Sequence, residues 1–316
     1  MKAMVLKKFG GIENFELKDI PEPVISENEV LVRVKAIDIN PIDIKTRQGG
    51  GVASYYPEDM PIVLGWGVAG TIVRTGKKVE NFISGDEVFG TILFPGRGGV
   101  YAEYVAVPAE QLARKPDNIT PVAAAAATLA ALTAWQALVN TGAVKKGDKV
   151  LVHGAAGGVG NYAVQIARYL GAYIVGTASG EDADFIRQLG ADKVIDYKEQ
   201  RFEELTSGFD LILDTIGGEN FVRSLKVLKP EGMIILLPSN KIPEAEQAVR
   251  EFQVKNYHHV LVHSNGEETR KIADLLTRGR MQVYMGETFS FEQLPEAHTA
   301  LENRKIKRKI VVSISL

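Results

Sequence analysis

Between Glu29 and Ile39 the chain alternates, with Val30, Val32, Val34 and Ala36 on one face and Arg33 and Lys35 on the other. That period of two belongs to a strand with one face in a core. A second strand-like run spans Tyr101 to Val107, and turn signals recur at Gly49-Gly50-Gly51, Gly85-Asp86 and Pro95-Gly96. Short strands with frequent turns predict a barrel-like, all-β unit with little helix. From about Pro121 the pattern changes. A short apolar strand at Lys149–Val152 runs into a glycine-rich turn and a helical stretch, Gly158–Leu170. Strands are then expected at Tyr173–Thr177, Lys193–Ile195, Asp210–Asp214, Met233–Leu237 and Val260–Val262. Helices are expected near Asp182–Leu189, Glu219–Leu228 and Pro243–Gln253. Such alternation implies a parallel, doubly wound sheet. After Gly266 come a helix (Thr269–Thr277) and two β segments flanking a further helix that begins near Phe291. This tail is too short to fold alone, so it is expected to rejoin the N-terminal β unit. The predicted division is 1–121 plus 267–316 for the β unit, with 122–266 inserted as the doubly wound domain.

Composition narrows the chemistry. The 316 residues carry 37 basic and 39 acidic side chains, a formal charge of −2, which gives no support for general nucleic-acid binding. Cysteine is absent, which excludes disulfides, thiol nucleophiles, iron–sulfur ligation and any cysteine-containing zinc site. Lys7, Lys8, Glu13 and Glu16 break the first twenty residues, so no secretory signal is read there. Ile119 to Val144 lacks formal charge and is long enough to cross a bilayer. Its alanine run and its polar Thr128, Thr133, Gln136 and Asn140 fit a buried helix pair instead, and a cytoplasmic protein is expected. His258, His259 and His263 do not make a metal site, because on a strand His259 and His263 would stand about 13 Å apart.

The strongest motif is Val150-Leu151-Val152-His153-Gly154-Ala155-Ala156-Gly157-Gly158-Val159-Gly160. Following a strand and opening a helix, it has the context in which glycines let backbone N–H groups approach a dinucleotide pyrophosphate. Gly157, Gly158, Val159 and Gly160 are the expected contacts. The second strand ends Gly176-Thr177-Ala178-Ser179, with no acid at Ala178 or Ser179 to repel a 2′-phosphate, although Glu181 and Asp182 follow at once. Arg304, Lys305, Lys307, Arg308 and Lys309 form a basic run that could clamp such a phosphate, or simply be a solvated helix end. NADPH is favoured over NADH.

With that motif beside Asn40-Pro41-Ile42-Asp43-Ile44-Lys45, Gly65-Trp66-Gly67-Val68-Ala69-Gly70, Gly85-Asp86-Glu87-Val88-Phe89-Gly90, Leu132-Thr133-Ala134-Trp135 and the ending Lys309-Ile310-Val311-Val312, the chain resembles the zinc-free quinone oxidoreductases of the medium-chain dehydrogenase/reductase superfamily. The resemblance implies an α/β protein in which a GroES-like β-rich catalytic domain is split around a Rossmann domain, with the active site in the cleft between them. It also implies homodimers that transfer hydride from a reduced nicotinamide to quinones or α,β-unsaturated carbonyls. The zinc-dependent branch holds its metal with Cys and a His-Glu pair; Asn40 and Trp66-Gly67 stand there instead, so no zinc is expected. Zinc-free relatives often carry an acid at the position of Gly67. NADPH-using relatives place a lysine near Asp182 and bring a tyrosine matched by Tyr197 to the 2′-phosphate. Their Arg-Gly-Lys-Ile becomes Lys307-Arg308-Lys309-Ile310 here.

A metal-free reductase works by position and field, with hydrogen-bond donors aimed at the oxygen where negative charge builds. By resemblance Asn40 is the first such donor and lies near the nicotinamide. Tyr55 or Tyr56 could add a phenolic donor, or only pack. Asp43 reads as a structural residue. Thr128 and Thr133 sit where the family approaches the nicotinamide, or simply pack as mid-helix threonines, and Leu237-Pro238 is expected to give backbone contacts to the carboxamide. Trp66 and Phe94 are candidate apolar walls of the substrate pocket or core residues, and His153 reads as a satisfied strand-end histidine. Two further functions stay open: reduction of other activated alkenes, such as 2-haloacrylates or enoyl thioesters, and a non-enzymatic NADPH- or RNA-binding role like that of crystallin relatives.

Overall fold

The computed structural model describes residues 1–56, 60–303 and 306–314. It divides into two compact units, one made of Met1–Leu132 with Val262–Leu316, the other of Thr133–Leu261. The chain therefore does leave the first unit and return to it. The first seam falls at Leu132/Thr133 and not at the expected 121/122, because the short helix Pro121–Ala126 packs on strands of the β unit.

In the first unit, β1 (Lys2–Leu6) and β2 (Phe15–Asp19) form a small antiparallel sheet. Strand β3 (Glu29–Ile39) buries Val30, Val32, Val34 and Ala36 fully and leaves Arg33 exposed, as its alternation requires. It leads directly into helix α1 (Pro41–Arg47), whose entry is favoured by Pro41 at the first helical position. Then follow β4 (Ile62–Val63), β5 (Gly67–Thr75), β6 (Glu87–Thr91), β7 (Tyr104–Pro108), β8 (Ala113–Arg114) and α2 (Pro121–Ala126), the last capped by the Thr120 side chain. Buried alanines let α2 lie close against β3 and β5. Helix α3 (Leu129–Trp135) runs across the boundary at Leu132/Thr133. No helix among the described residues is long and apolar enough to cross a membrane.

The second unit is a parallel sheet. Its elements are β9 (Lys149–His153), α4 (Gly160–Leu170), β10 (Tyr173–Ala178), α5 (Ala183–Leu189), β11 (Lys193–Asp196), α6 (Phe202–Leu205), β12 (Phe209–Asp214), α7 (Glu219–Leu225), β13 (Leu228–Leu236), α8 (Ile242–Glu251) and β14 (Asn256–His259). The strand order β11-β10-β9-β12-β13-β14 reverses direction at β9, so the turn after β9 stands at the switch point where such sheets take their ligands. Continuous apolar runs, such as Val150, Leu151 and Val152, suit strands covered on both faces. The last strand is a correction: it lies at Asn256–His259, not Val260–Val262, since Met233 to Leu236 pair in register with Asn256 to His259. The polar edge strand lacks the apolar signal that drew the expected start four residues too late.

The returning tail adds α9 (Gly266–Thr277), β15 (Met285–Ser290), α10 (Leu294–Glu302) and β16 (Lys309–Ser313) to the first unit. Strand β16 pairs antiparallel with β3, completing a sheet in the order β15-β16-β3-β5-β6-β8, with β7 on the other half of β3. Arg308, just before β16, has φ +78, a left-handed conformation that glycine takes without strain. Arg308→Gly is expected to raise stability by about 1 kcal/mol, read as a higher urea midpoint at unchanged slope; a lower midpoint would refute the strain.

Candidate functional site

In the second unit the site is a backbone cradle. His153 ends β9, and Gly154 turns the chain with φ +64. Gly157 N–H donates to the Gly154 carbonyl at 2.8 Å, so the turn closes on itself before α4 begins. A Cβ at Gly160 would lie 2.1 Å from that carbonyl oxygen and 2.8 Å from Ala155 Cα, so only glycine permits this approach of helix to strand. Asn161 Nδ2 donates to the carbonyls of Gly157 and Gly158, holding the rim, while its buried Oδ1 has no partner among the described residues. The N-terminus of α4 thus faces a glycine-lined turn, which suits an anionic pyrophosphate.

Behind the cradle His153 is fully buried between two hydroxyls. Ser224 Oγ gives its proton to Asn220 O, so His153 Nε2–H donates to Ser224 and Nδ1 accepts from Thr177 Oγ1, both at 2.9 Å. Burial pushes the imidazole down to about 4, so it is neutral at physiological pH. Thr177 spends its hydroxyl on this bond, and Ser179 donates to buried Asp182 at 3.0 Å. Neither hydroxyl proton remains for a cofactor. Tyr197 is 60% exposed, and its N–H reaches the Ala178 carbonyl at the end of β10. At the end of β13, Leu237 N–H is taken by Asp214 O, while the Pro238 carbonyl accepts from Lys241. Of the contacts expected of Leu237-Pro238, the N–H is therefore already used.

In the first unit Asn40 caps α1 and is 4% exposed. Its Oδ1 accepts from Lys309 Nζ at 2.5 Å, and that ammonium also donates to Asp38 Oδ2 at 2.8 Å and Ile39 O at 3.3 Å. Lys309 is therefore a correction: expected to meet a 2′-phosphate, it is spent inside the β unit. Of the basic run, Lys307 is exposed and Arg304 and Lys305 lie outside the described residues. Asp43 accepts from Asn40 N–H at 2.8 Å and from Tyr101 Oη at 2.9 Å; Tyr101 Oη in turn contacts His298 Nε2. Burial, and then the nearby Asp38 charge, push the Asp43 carboxyl up to about 7; burial brings His298 down to about 3. Arg47, 1% exposed, pairs with Glu302 at 2.7 Å and ties α1 to α10. The entry to α1 is over-determined.

The remaining candidates are more plainly structural. Trp66 and Phe94 are buried in an edge-to-face pair, centroids 5.4 Å apart, with Trp66 Nε1 donating to Gly96 O. Thr128 is buried and donates to Ala125 O. Tyr56 is buried and its oxygen accepts from Gly98 N–H, whereas Tyr55 is 49% exposed. Sequence reasoning passed over Asp38, Tyr101 and His298. A charged residue inside Lys35-Ala36-Ile37-Asp38-Ile39 was a signal for the first, while a lone tyrosine and histidine carried none.

Residues 26–117 match the family description "Alcohol dehydrogenase GroES-like domain", and residues 189–312 match "Zinc-binding dehydrogenase". A catalytic zinc does not fit the donors present. Asn40 Oδ1 already faces an ammonium, which would repel a dication, and Trp66 and Gly67 offer no ligand. Among the described residues no group of three or more metal-ligating side chains comes together. The chain is 34% identical over 322 residues to an NADPH-dependent alkenal/one oxidoreductase of Arabidopsis thaliana, covering 99% of this chain and 79% of that one. It is 31% identical to a quinone oxidoreductase of Lama guanicoe, covering 95% and 93%. A solved quinone oxidoreductase from Coxiella burnetii superposes with TM-score 0.93 at 32% identity, covering 100% and 99%. The chain belongs to the quinone oxidoreductase branch of the medium-chain dehydrogenase/reductase superfamily.

Proposed function

We propose that this protein is a zinc-independent reductase that uses NADPH to reduce quinones or the alkene of α,β-unsaturated carbonyls. The observation that carries the reading is Asn40, an amide fixed by an ammonium where the zinc branch has a metal ligand. When bound, NADPH would supply the hydride for the β-carbon of an enone or for a quinone, with the matching proton drawn from solvent. Gly157, Gly158, Val159 and Gly160 hold the pyrophosphate against the N-terminus of α4, and exposed Tyr197, in the same unit, is the candidate contact for the 2′-phosphate. Asn40 Nδ2 donates to the oxygen on which charge builds. A phenolic donor from exposed Tyr55 is the next candidate. A homodimer in the cytoplasm completes the reading, by analogy with the family.

NADH is the second reading, favoured by the Asp182 carboxylate near the end of β10, a place suited to a ribose 2′-hydroxyl. Absorbance of the reduced nicotinamide, followed with each cofactor against enones, quinones, a 2-haloacrylate and an enoyl thioester, tests both. NADPH loss with an enone or quinone is expected, and Asn40→Ala should lower kcat on the order of 100-fold. No loss of either cofactor with any acceptor overturns the reading.

A further inference from the structure

We propose that the buried Asp38–Lys309 ion pair is a positioning device that sets the direction in which Asn40 presents its amide. The proposal rests on the reading of Asn40 as a donor and goes beyond it, since neither Asp38 nor Lys309 need touch substrate. The strand register assembles the device. Ile310 pairs with Ile39 and Val311 with Asp38, so the next position along β16 sets Lys309 across from Asn40. Asp38 and Asn40 are two residues apart and therefore on one face. On the other side, Ile37 pairs with Val68, which sets Asp38 across from Gly67. A Cβ at Gly67 would lie 1.8 Å from Asp38 Oδ1 and 2.3 Å from Thr128 Oγ1. The bare glycine makes room for the carboxylate on the adjacent strand.

The chemistry leaves the amide one orientation. An ammonium has three protons and no acceptor, and those of Lys309 go to Asp38 Oδ2, Ile39 O and Asn40 Oδ1. Only the carbonyl end of Asn40 can meet it, so Nδ2 is turned away as a donor. Flipping the amide would set N–H against N–H beside a buried cation. Asp38 is fully buried and its Oδ1 has no partner among the described residues, so Lys309 is the charge that accommodates it. Ion pairs this buried are commonly replaceable by apolar residues without loss of stability, so stability alone does not account for one placed here.

The test needs a readout that does not depend on turnover. In the ligand-free protein, the Asn40 side-chain amide is followed by ¹⁵N–¹H correlation, assigned by its absence in Asn40→Ser. The Asp38→Asn/Lys309→Met double variant leaves no unpaired buried charge. Its amide pair is expected to shift and broaden, and kcat to fall on the order of 10- to 100-fold, while the NADPH Kd stays within about threefold. The single variant Asp38→Asn, which keeps shape and ammonium, is expected to move the same signals and lower kcat by about 3- to 10-fold. An unmoved amide pair, an unchanged kcat, or equal losses of kcat and NADPH affinity in either folded variant overturns the proposal. If the wild type consumes no NADPH with any acceptor, the reading of the reaction fails, and the amide spectra still decide whether the pair orients Asn40.

Discussion

Gly160→Ala is expected to abolish measurable NADPH binding while leaving the first unit folded. One methyl group would stand 2.1 Å from the Gly154 carbonyl oxygen and 2.8 Å from Ala155 Cα, both backbone atoms that no rotamer change can move. Relief requires α4 to back away from the β9 turn. That would break the Gly157 N–H to Gly154 carbonyl bond and unseat Asn161 from the rim it holds. Overpacking of this kind costs roughly 1–3 kcal/mol. The loss of a shaped anion cradle adds to it, so cofactor affinity should fall at least about 100-fold, near 3 kcal/mol. Fluorescence titration with NADPH measures this, and urea unfolding reports the stability cost. Wild-type affinity in the variant would mean that the pyrophosphate is held elsewhere.

Asp43→Asn should make the first unit markedly more acid-sensitive. His298 is brought from 6.5 to about 3 by burial, with Arg47 adding repulsion. The unfolded chain therefore binds more protons below pH 6.5, and stability is lost as pH falls, by about 1.4 kcal/mol per unit. Asp43 has the opposite sign. Its carboxyl rises from 3.8 to about 7 through burial and the neighbouring Asp38 charge, against the weaker opposing effects of Tyr101, Asn40 and Lys309. The folded state holds the extra proton, so its contribution is complete below pH 3.8 and is lost as pH rises through 7. Between about pH 4 and 6.5 the two slopes nearly cancel in the first unit. Removing Asp43 leaves the histidine unopposed, so about 3 kcal/mol should be lost between pH 6.5 and 4.5. In the second unit His153 is brought from 6.5 to about 4 and should give a similar decline in wild type and variant alike. Urea unfolding at steps of pH, with a probe in each unit, separates them. Parallel wild-type and variant curves for the first unit would refute the balance. The depressed carboxylates Asp86, Glu87 and Asp210 act at the bottom of this range or below it, since their unperturbed values are 3.8 and 4.5.

How legible each part was depends on the range of the interaction. The alternation of Val30 to Ala36, the run Val150 to Val152 and the glycines of the β9 turn are local patterns, and each stands where its period or turn chemistry placed it. The strand Asn256–His259 was misplaced because its own residues are polar and its pairing with β13 alone makes it a strand. The basic run misled for a related reason. Lys307 and Lys309 are only two residues apart, but Lys307 precedes β16 and is exposed, while Lys309 opens that strand and is buried beside Asp38.

By itself, the sequence determined the class of the protein: an inserted doubly wound unit with a dinucleotide-type turn after its first strand, and no thiol chemistry. These follow from periodicity, glycine geometry and residue type, which act within a few positions of the chain. Only the tertiary structure decided what Lys309, Asp38, Tyr101 and His298 do, because their partners are 58 to 271 positions away. Antiparallel pairing of β16 with β3 brings a lysine from the end of the chain against an asparagine near its start. Burial then decides the protonation of Asp43, His153 and His298, since the cost of desolvating a charge is set by the surroundings and not by the residue.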